Sequence, residues 1–142
     1  MVQLKNYIEG NDIVNFAQHL QIEKFSEQHV KYISKHLAMG VQKMHEKSLL
    51  HRDIKLENIF MSGKEIDATP VIGDFGFAVQ LKEGETCTKR VGSKGYTAPE
   101  VLLGEPYSFK ADIFSLGCLY YALVTADLPF LADTMEDYFF RS

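Results

Sequence analysis

Between Phe109 and Ala126 the sequence is apolar on nearly every side of a helical wheel. Ile113, Phe114, Leu116, Leu119, Tyr120, Tyr121, Leu123 and Val124 leave almost no polar face. A helix of that kind is buried in the middle of a fold or crosses a membrane. The longest apolar run, Ile113 to Val124, is well short of the roughly 20 residues that span a bilayer. The expectation is therefore a buried central helix, with the rest of the chain packed around it. Pro106 precedes it and Pro129 follows it, and proline limits a helix from either side.

The surrounding elements can be read from periodicity. Asp12 to Gln21 reads as a short helix with Ile13, Val14, Phe16 and Leu20 on one side. Ser26 caps a longer one, and Glu27 suits the positive end of its dipole. Val30, Ile33, Leu37, Val41 and Met44 then recur every three or four residues, while Lys31, Lys35, Gln42 and Lys43 fall largely opposite. That amphipathic helix should end near Lys47. Leu49-Leu50, Asn58 to Met61 and Pro70 to Ile72 read as small strands separated by polar loops. Thr86 to Gly95 is polar and glycine-bearing, which predicts a mobile surface loop. Pro99 opens a short helix, since proline is tolerated in a first turn.

Composition excludes classes without naming an activity. The chain has 142 residues, 46% hydrophobic and 24% charged, with a net charge of −4. A disordered tail and a collagen-like repeat are ruled out by those fractions. A mildly acidic chain lacks the basic face that nucleic acid requires. Cys87 and Cys118 stand far apart, with no CxxC and no histidine at ligand spacing. Free thiols in a reducing compartment are the expectation, rather than a disulfide framework or a zinc site. No apolar leader is visible at the N-terminus. The resulting expectation is a soluble, intracellular, cytoplasmic chain with no membrane segment.

Three signatures occur in order: His51-Arg52-Asp53-Ile54-Lys55-Leu56-Glu57-Asn58, then Asp74-Phe75-Gly76, then Ala98-Pro99-Glu100. Each signature alone has an ordinary explanation: a surface ion pair, a turn, a helix start. All three at these spacings resemble the catalytic loop, DFG and APE signatures of protein kinases. The resemblance runs along essentially the whole chain. It implies a protein kinase-like α+β fold: a mainly helical C-terminal lobe with short β-hairpins, the N-terminal lobe absent. Residues 1–142 then form a partial kinase domain, running from the hinge to the central buried helix.

The resemblance also implies roles. Asp53 accepts the hydrogen bond, and later the proton, of an incoming hydroxyl. Lys55 offsets negative charge on the transferring phosphate of ATP. Asn58 and Asp74 supply oxygen ligands to Mg²⁺. Lys55 matches the serine/threonine branch. Backbone groups of Asn6 and Ile8 meet the adenine, Asp12 the ribose, and Phe60 lies under the base. Lys55 and Glu57 are placed with the same nucleotide-contacting group. Ser93 bonds Asp53 or Lys55 and shapes the groove of a protein substrate. Arg52 wants an anion, and in many kinases that anion is a phosphorylated threonine. Lys89 holds the commonest acceptor position here, so Thr86 and Thr88 are the candidates, Thr88 first. Asp112 accepts hydrogen bonds from the catalytic-loop backbone.

Departures from the family's pattern lie at both ends. The glycine-rich loop, the lysine strand and the glutamate helix of the N-terminal lobe are missing, as are the last helices. Burying one large apolar side chain contributes roughly 1.5–3 kcal/mol. Losing cover over three of them removes on the order of 5–9 kcal/mol, against a domain stability of about 5–15. The chain alone should therefore be marginal and expose an apolar patch, open to a missing N-terminal lobe or a covering partner. Two other functions stay open: a truncated, non-catalytic kinase-like binding module or decoy, and a small-molecule phosphotransferase of kinase-like fold. Arg52, Lys55 and Ala98-Pro99-Glu100 favour the protein kinase over the latter.

Overall fold

The computed structural model describes residues 11–130. Helix α1 (Ile13–His19) begins at Asp12, whose carboxylate accepts from the amides of Val14 and Asn15, both at 3.0 Å. Helix α2 (Glu27–Glu46) begins at Ser26, whose hydroxyl accepts from the His29 amide. Its buried residues Ile33, Leu37 and Val41 fall four apart, the spacing that keeps them on one face. Two small antiparallel sheets follow. Strand β1 (Leu49–Leu50) pairs with β4 (Val79–Gln80), and β2 (Ile59–Met61) pairs with β3 (Pro70–Ile72). Short 3₁₀ turns at Leu56–Asn58 and Phe75–Phe77 precede β2 and β4. Helix α3 (Pro99–Leu103) has proline in its first turn and Gly104 as a left-handed cap. Helix α4 (Lys110–Thr125) closes the described chain.

The main core joins α1, α2, β2 and α4 through Ile13, Phe16, Leu37, Ile54, Ile59 and Leu119, all fully or almost fully buried. Helix α4 lies across α2, and the Tyr120 hydroxyl donates to the Ser34 carbonyl at 2.7 Å. A second cluster of Leu50, Leu81, Ala98, Val101, Tyr107 and Ala111 ties β1 and the segment before α4 to that helix's first turn. Between the two clusters runs the loop from His51 to Lys55.

One expectation is corrected. Helix α4 is apolar all round but not buried all round: Ile113, Tyr121 and Val124 are 48, 47 and 46% exposed. With the exposed Gly117 they form a stripe along one side. The reason is geometric: α2 and the loop at 51–58 pack against the side of α4 that carries Asp112, Leu116 and Leu119. The polar loop at 86–95 is largely exposed, yet it is tied down. Cys87 and Tyr107 exchange two backbone hydrogen bonds of 2.8 Å, the Tyr107 hydroxyl donates to the Lys89 carbonyl, and Arg90 donates to the Leu103 carbonyl. Among the described residues no helix is long and apolar enough to cross a membrane.

Candidate active site

The loop at 51–58 is built around a buried carboxylate that belongs to another element. Asp112, in the first turn of α4, is 0% exposed. One of its oxygens accepts the Arg52 amide at 2.9 Å, and the other accepts the His51 amide and His45 Nε2, also at 2.9 Å. A buried carboxylate needs several donors to offset its desolvation, and three are present. The result is a loop backbone clamped to a helix. That clamp holds Arg52 at φ +72°, a left-handed conformation unusual for a residue with a side chain. The guanidinium Nε donates to the Phe77 carbonyl at 2.7 Å, pinning the segment after Asp74-Phe75-Gly76 to the same loop.

His51 locks the centre of the site. Its Nδ1 accepts the Asp53 amide, and its Nε2 meets the Gly73 carbonyl at 3.0 Å. That pairing calls for the proton on Nε2. Gly73 in turn donates its amide to the Asn58 carbonyl at 2.9 Å. A Cβ on Gly73 would lie 2.6 Å from the Phe60 ring, so only glycine lets the strand approach this closely. These bonds set Asp74, the next residue, beside the 51–58 loop.

Four predicted residues converge. The Ser93 hydroxyl donates to Asp53 Oδ1 at 2.8 Å and accepts from Lys55 Nζ at 2.7 Å. Lys55 Nζ is also 3.4 Å from Asp53 Oδ2, and Asn58 Nδ2 donates to that oxygen and to the Asp53 carbonyl. Gly92 makes the approach possible, because a Cβ there would lie 2.7 Å from Thr97 Oγ1 and 3.1 Å from the Arg52 carbonyl. A hydroxyl therefore already stands where a carboxylate and an ammonium converge.

The same bonds test a divalent-cation fit. Asn58 uses its amide nitrogen on Asp53, which leaves the amide oxygen without a donor among the described residues. Asp74 gives one oxygen to the Gly76 amide, and its other oxygen has no donor among the described residues. No cluster of three or more His, Cys, Asp or Glu side chains occurs among the described residues. Two hard oxygen donors with no protein cage suit Mg²⁺ completed by phosphate oxygens.

The remaining predicted residues are placed as follows. Asp12 and Phe60 are neighbours, joined by an isolated backbone bridge, and the Met61 amide donates to the Asn11 carbonyl. The Asp12 carboxylate caps α1, which the sequence reading did not foresee. Glu57 is exposed and acts electrostatically on the Tyr96 hydroxyl. Thr86 and Thr88 are exposed on either side of Cys87, with no bond to Arg52. Asn6 and Ile8 lie outside the described residues.

Comparison with known proteins decides the family. The profile described as Protein kinase domain matches residues 1–141. The chain belongs to the protein kinase family. Among its kinase relatives, Serine/threonine-protein kinase ATG1a of Arabidopsis thaliana is 36% identical over 124 residues, 87% of this chain and 20% of the relative. Serine/threonine-protein kinase PEPKR2 of the same plant is 38% identical over 122 residues, 86% of this chain and 25% of the relative. Serine/threonine-protein kinase Nek5 of Mus musculus is 36% identical over 128 residues, 87% of this chain and 20% of the relative. The chain thus spans a fifth to a quarter of the length of these kinases.

Two histidines of this kinase-family site escaped the sequence reading. His51 was read only as part of a motif, and His45 not at all. A signal for His45 existed: it continues the Leu37, Val41 stripe by four residues, so it faces inward and must find a partner there. Burial pushes the Tyr96 hydroxyl up to about 12, with the Glu57 charge adding to the shift and the Leu56 backbone opposing it.

Proposed function

We propose that the chain is the C-terminal catalytic lobe of a serine/threonine protein kinase, which transfers the γ-phosphate of ATP to a hydroxyl of a protein substrate. The observation that carries this reading is the Ser93 hydroxyl held between Asp53 and Lys55. A substrate hydroxyl entering beside Ser93 would donate to Asp53 and lose its proton there as its oxygen bonds to the γ-phosphorus and the bond from that phosphorus to the β-phosphate oxygen breaks, with ADP as the leaving group. Lys55 would face the phosphoryl oxygens as charge builds on them. Asn58 and Asp74 would hold Mg²⁺. The ion, when bound, neutralises phosphate charge and orients the group for in-line transfer. Asp12 and Phe60, adjacent to each other, would border the ribose and adenine, with Asn6 and Ile8 supplying backbone contacts. Names of relatives at 36 to 38% identity support the serine/threonine assignment.

Thr88 is the proposed regulatory phosphorylation site, with Thr86 second. The support is Arg52, whose terminal guanidinium nitrogens have no partner among the described residues. A phosphate there would add charge-assisted bonds between the exposed segment and the catalytic loop.

The test uses the full-length protein with ATP, Mg²⁺ and a generic protein substrate. Phosphoserine or phosphothreonine should form, and Asp53→Asn should lower kcat by about 10²–10⁴-fold. Activity unchanged in Asp53→Asn would overturn the assignment.

A further inference from the structure

The hydroxyl-bearing residues of the segment at 86–95 are Thr86, Thr88 and Ser93. The two threonines are exposed, whereas Ser93 is half-buried and held at both its backbone and its side chain. Its carbonyl accepts the Tyr96 amide at 3.1 Å and the Thr97 hydroxyl at 2.8 Å. Its hydroxyl lies 2.8 Å from Asp53 Oδ1 and 2.7 Å from Lys55 Nζ.

The surroundings of that hydroxyl meet the needs of a phosphate acceptor. It donates to a carboxylate able to take its proton, and an ammonium stands against the same oxygen, where phosphate charge would build. The other Asp53 oxygen already accepts from Asn58 Nδ2 and lies 3.4 Å from Lys55 Nζ. Ser93 therefore occupies the less committed oxygen of Asp53. Being part of the chain, it needs no encounter with a second molecule, and a reactant tethered in position faces a lower barrier.

We propose that Ser93 is a self-phosphorylation site, modified within its own molecule, and that the product shuts the site. This inference rests on the kinase reading above. The Ser93 oxygen bonds to the γ-phosphorus of ATP, the bond from that phosphorus to the β-phosphate oxygen breaks with ADP as the leaving group, and the hydroxyl proton passes to Asp53. The new phosphate carries a charge of about −1.5 to −2. It pairs with Lys55, withdrawing that cation from the next transfer, and it repels the Asp53 carboxylate. It also fills the space beside Asp53 that a substrate hydroxyl needs. Its effect is therefore opposite in sign to that of a phosphate on Thr88.

The test incubates the full-length protein with regenerated ATP, Mg²⁺ and a generic protein substrate, and follows residue 93 by mass spectrometry of proteolytic peptides. Phosphate should accumulate on Ser93 with the same half-time across an about hundredfold range of enzyme concentration, because the step is intramolecular. Asp53→Asn should leave residue 93 unmodified. Substrate turnover should decay in step with Ser93 phosphorylation, to about a tenth of its initial rate or less. Ser93→Ala should be slower from the start but hold a constant rate, and Ser93→Thr should decay and carry phosphothreonine at 93. The mass measurement on the protein itself is decisive without any variant. Substrate phosphorylation with residue 93 unmodified overturns the proposal and leaves the kinase reading standing. A half-time that shortens as enzyme concentration rises assigns the step to a second molecule and overturns it too. A turnover rate that stays constant while residue 93 fills overturns the self-limiting role. Absence of any Asp53-dependent phosphorylation, of the substrate or of the protein, overturns the kinase reading, and the proposal with it.

Discussion

At the residue scale, the site is a set of polar side chains whose bonds leave few choices. Ser93 bridges Asp53 and Lys55, so Ser93→Ala removes two charge-assisted bonds at once. Hydrogen bonds to charged groups contribute roughly 1.5–3 kcal/mol, so kcat/KM of the full-length protein should fall about tenfold or more. Steady-state kinetics on a peptide substrate checks this. His45 is the corresponding test of support. Its removal leaves the fully buried Asp112 one donor short, which should cost roughly 1–3 kcal/mol in His45→Ala. Urea denaturation followed by circular dichroism measures that loss. The sequence motif pointed to Asp53 and Lys55 as candidates, because the proposed chemistry depends on residue type and spacing. It was silent on His45, because that partner comes from a helix and meets a residue 67 positions later.

At the element scale, caps and apolar spacing made the helices legible. Ser26 and the Ile33, Leu37, Val41 spacing define α2, and Pro99 and Gly104 define α3. Strand β4 was missed, since two residues carry no periodicity and Val79–Gln80 becomes a strand only by pairing with Leu49–Leu50. Leu119 lies at the centre of the main core at 0% exposure. Leu119→Ala should destabilise the protein by about 2–5 kcal/mol, read from the denaturation midpoint. The segment at 86–95 invites a different experiment. Thr88→Ala with Thr86→Ala should lower the activity of the full-length protein severalfold and remove phosphate from the tryptic peptide that carries residues 86 and 88, as mass spectrometry would detect. Unchanged activity in the double variant would remove both threonines as regulatory sites.

At the scale of the whole molecule, α4 presents its stripe of Ile113, Gly117, Tyr121 and Val124 to solvent. A stretch of 142 residues expressed alone should therefore bind a hydrophobic dye and self-associate, and Val124→Glu should reduce both. Sedimentation and dye fluorescence would show a non-sticky monomer if the idea is wrong. Alkaline pH probes the other side of the core. Burial raises the Cys118 thiol from 9.0 to about 11, and the Tyr96 and Tyr120 hydroxyls from 10.0 to about 12. The unfolded chain then releases these protons at lower pH than the folded one. Their contribution is complete below the unfolded value of 9.0 and is lost as pH rises towards the folded values of about 11 and 12. Denaturant midpoints measured from neutral pH upward should fall across that window, and Cys118→Ala should soften the first part of the fall.

The amino-acid sequence by itself determined the family, the order of the helices and the candidate residues of the site. Those depend on local spacing, capping and residue type, which a linear pattern records. Tertiary structure alone decided that His45 joins Asp112 in its clamp on the loop at 51–58. It also decided that Ser93 meets Asp53 and Lys55 together rather than one of them, and which side of α4 stays uncovered. The physical reason is that hydrogen-bond partners and burial depend on which distant elements meet. An apolar side chain reads the same in sequence whether a neighbour packs on it or not.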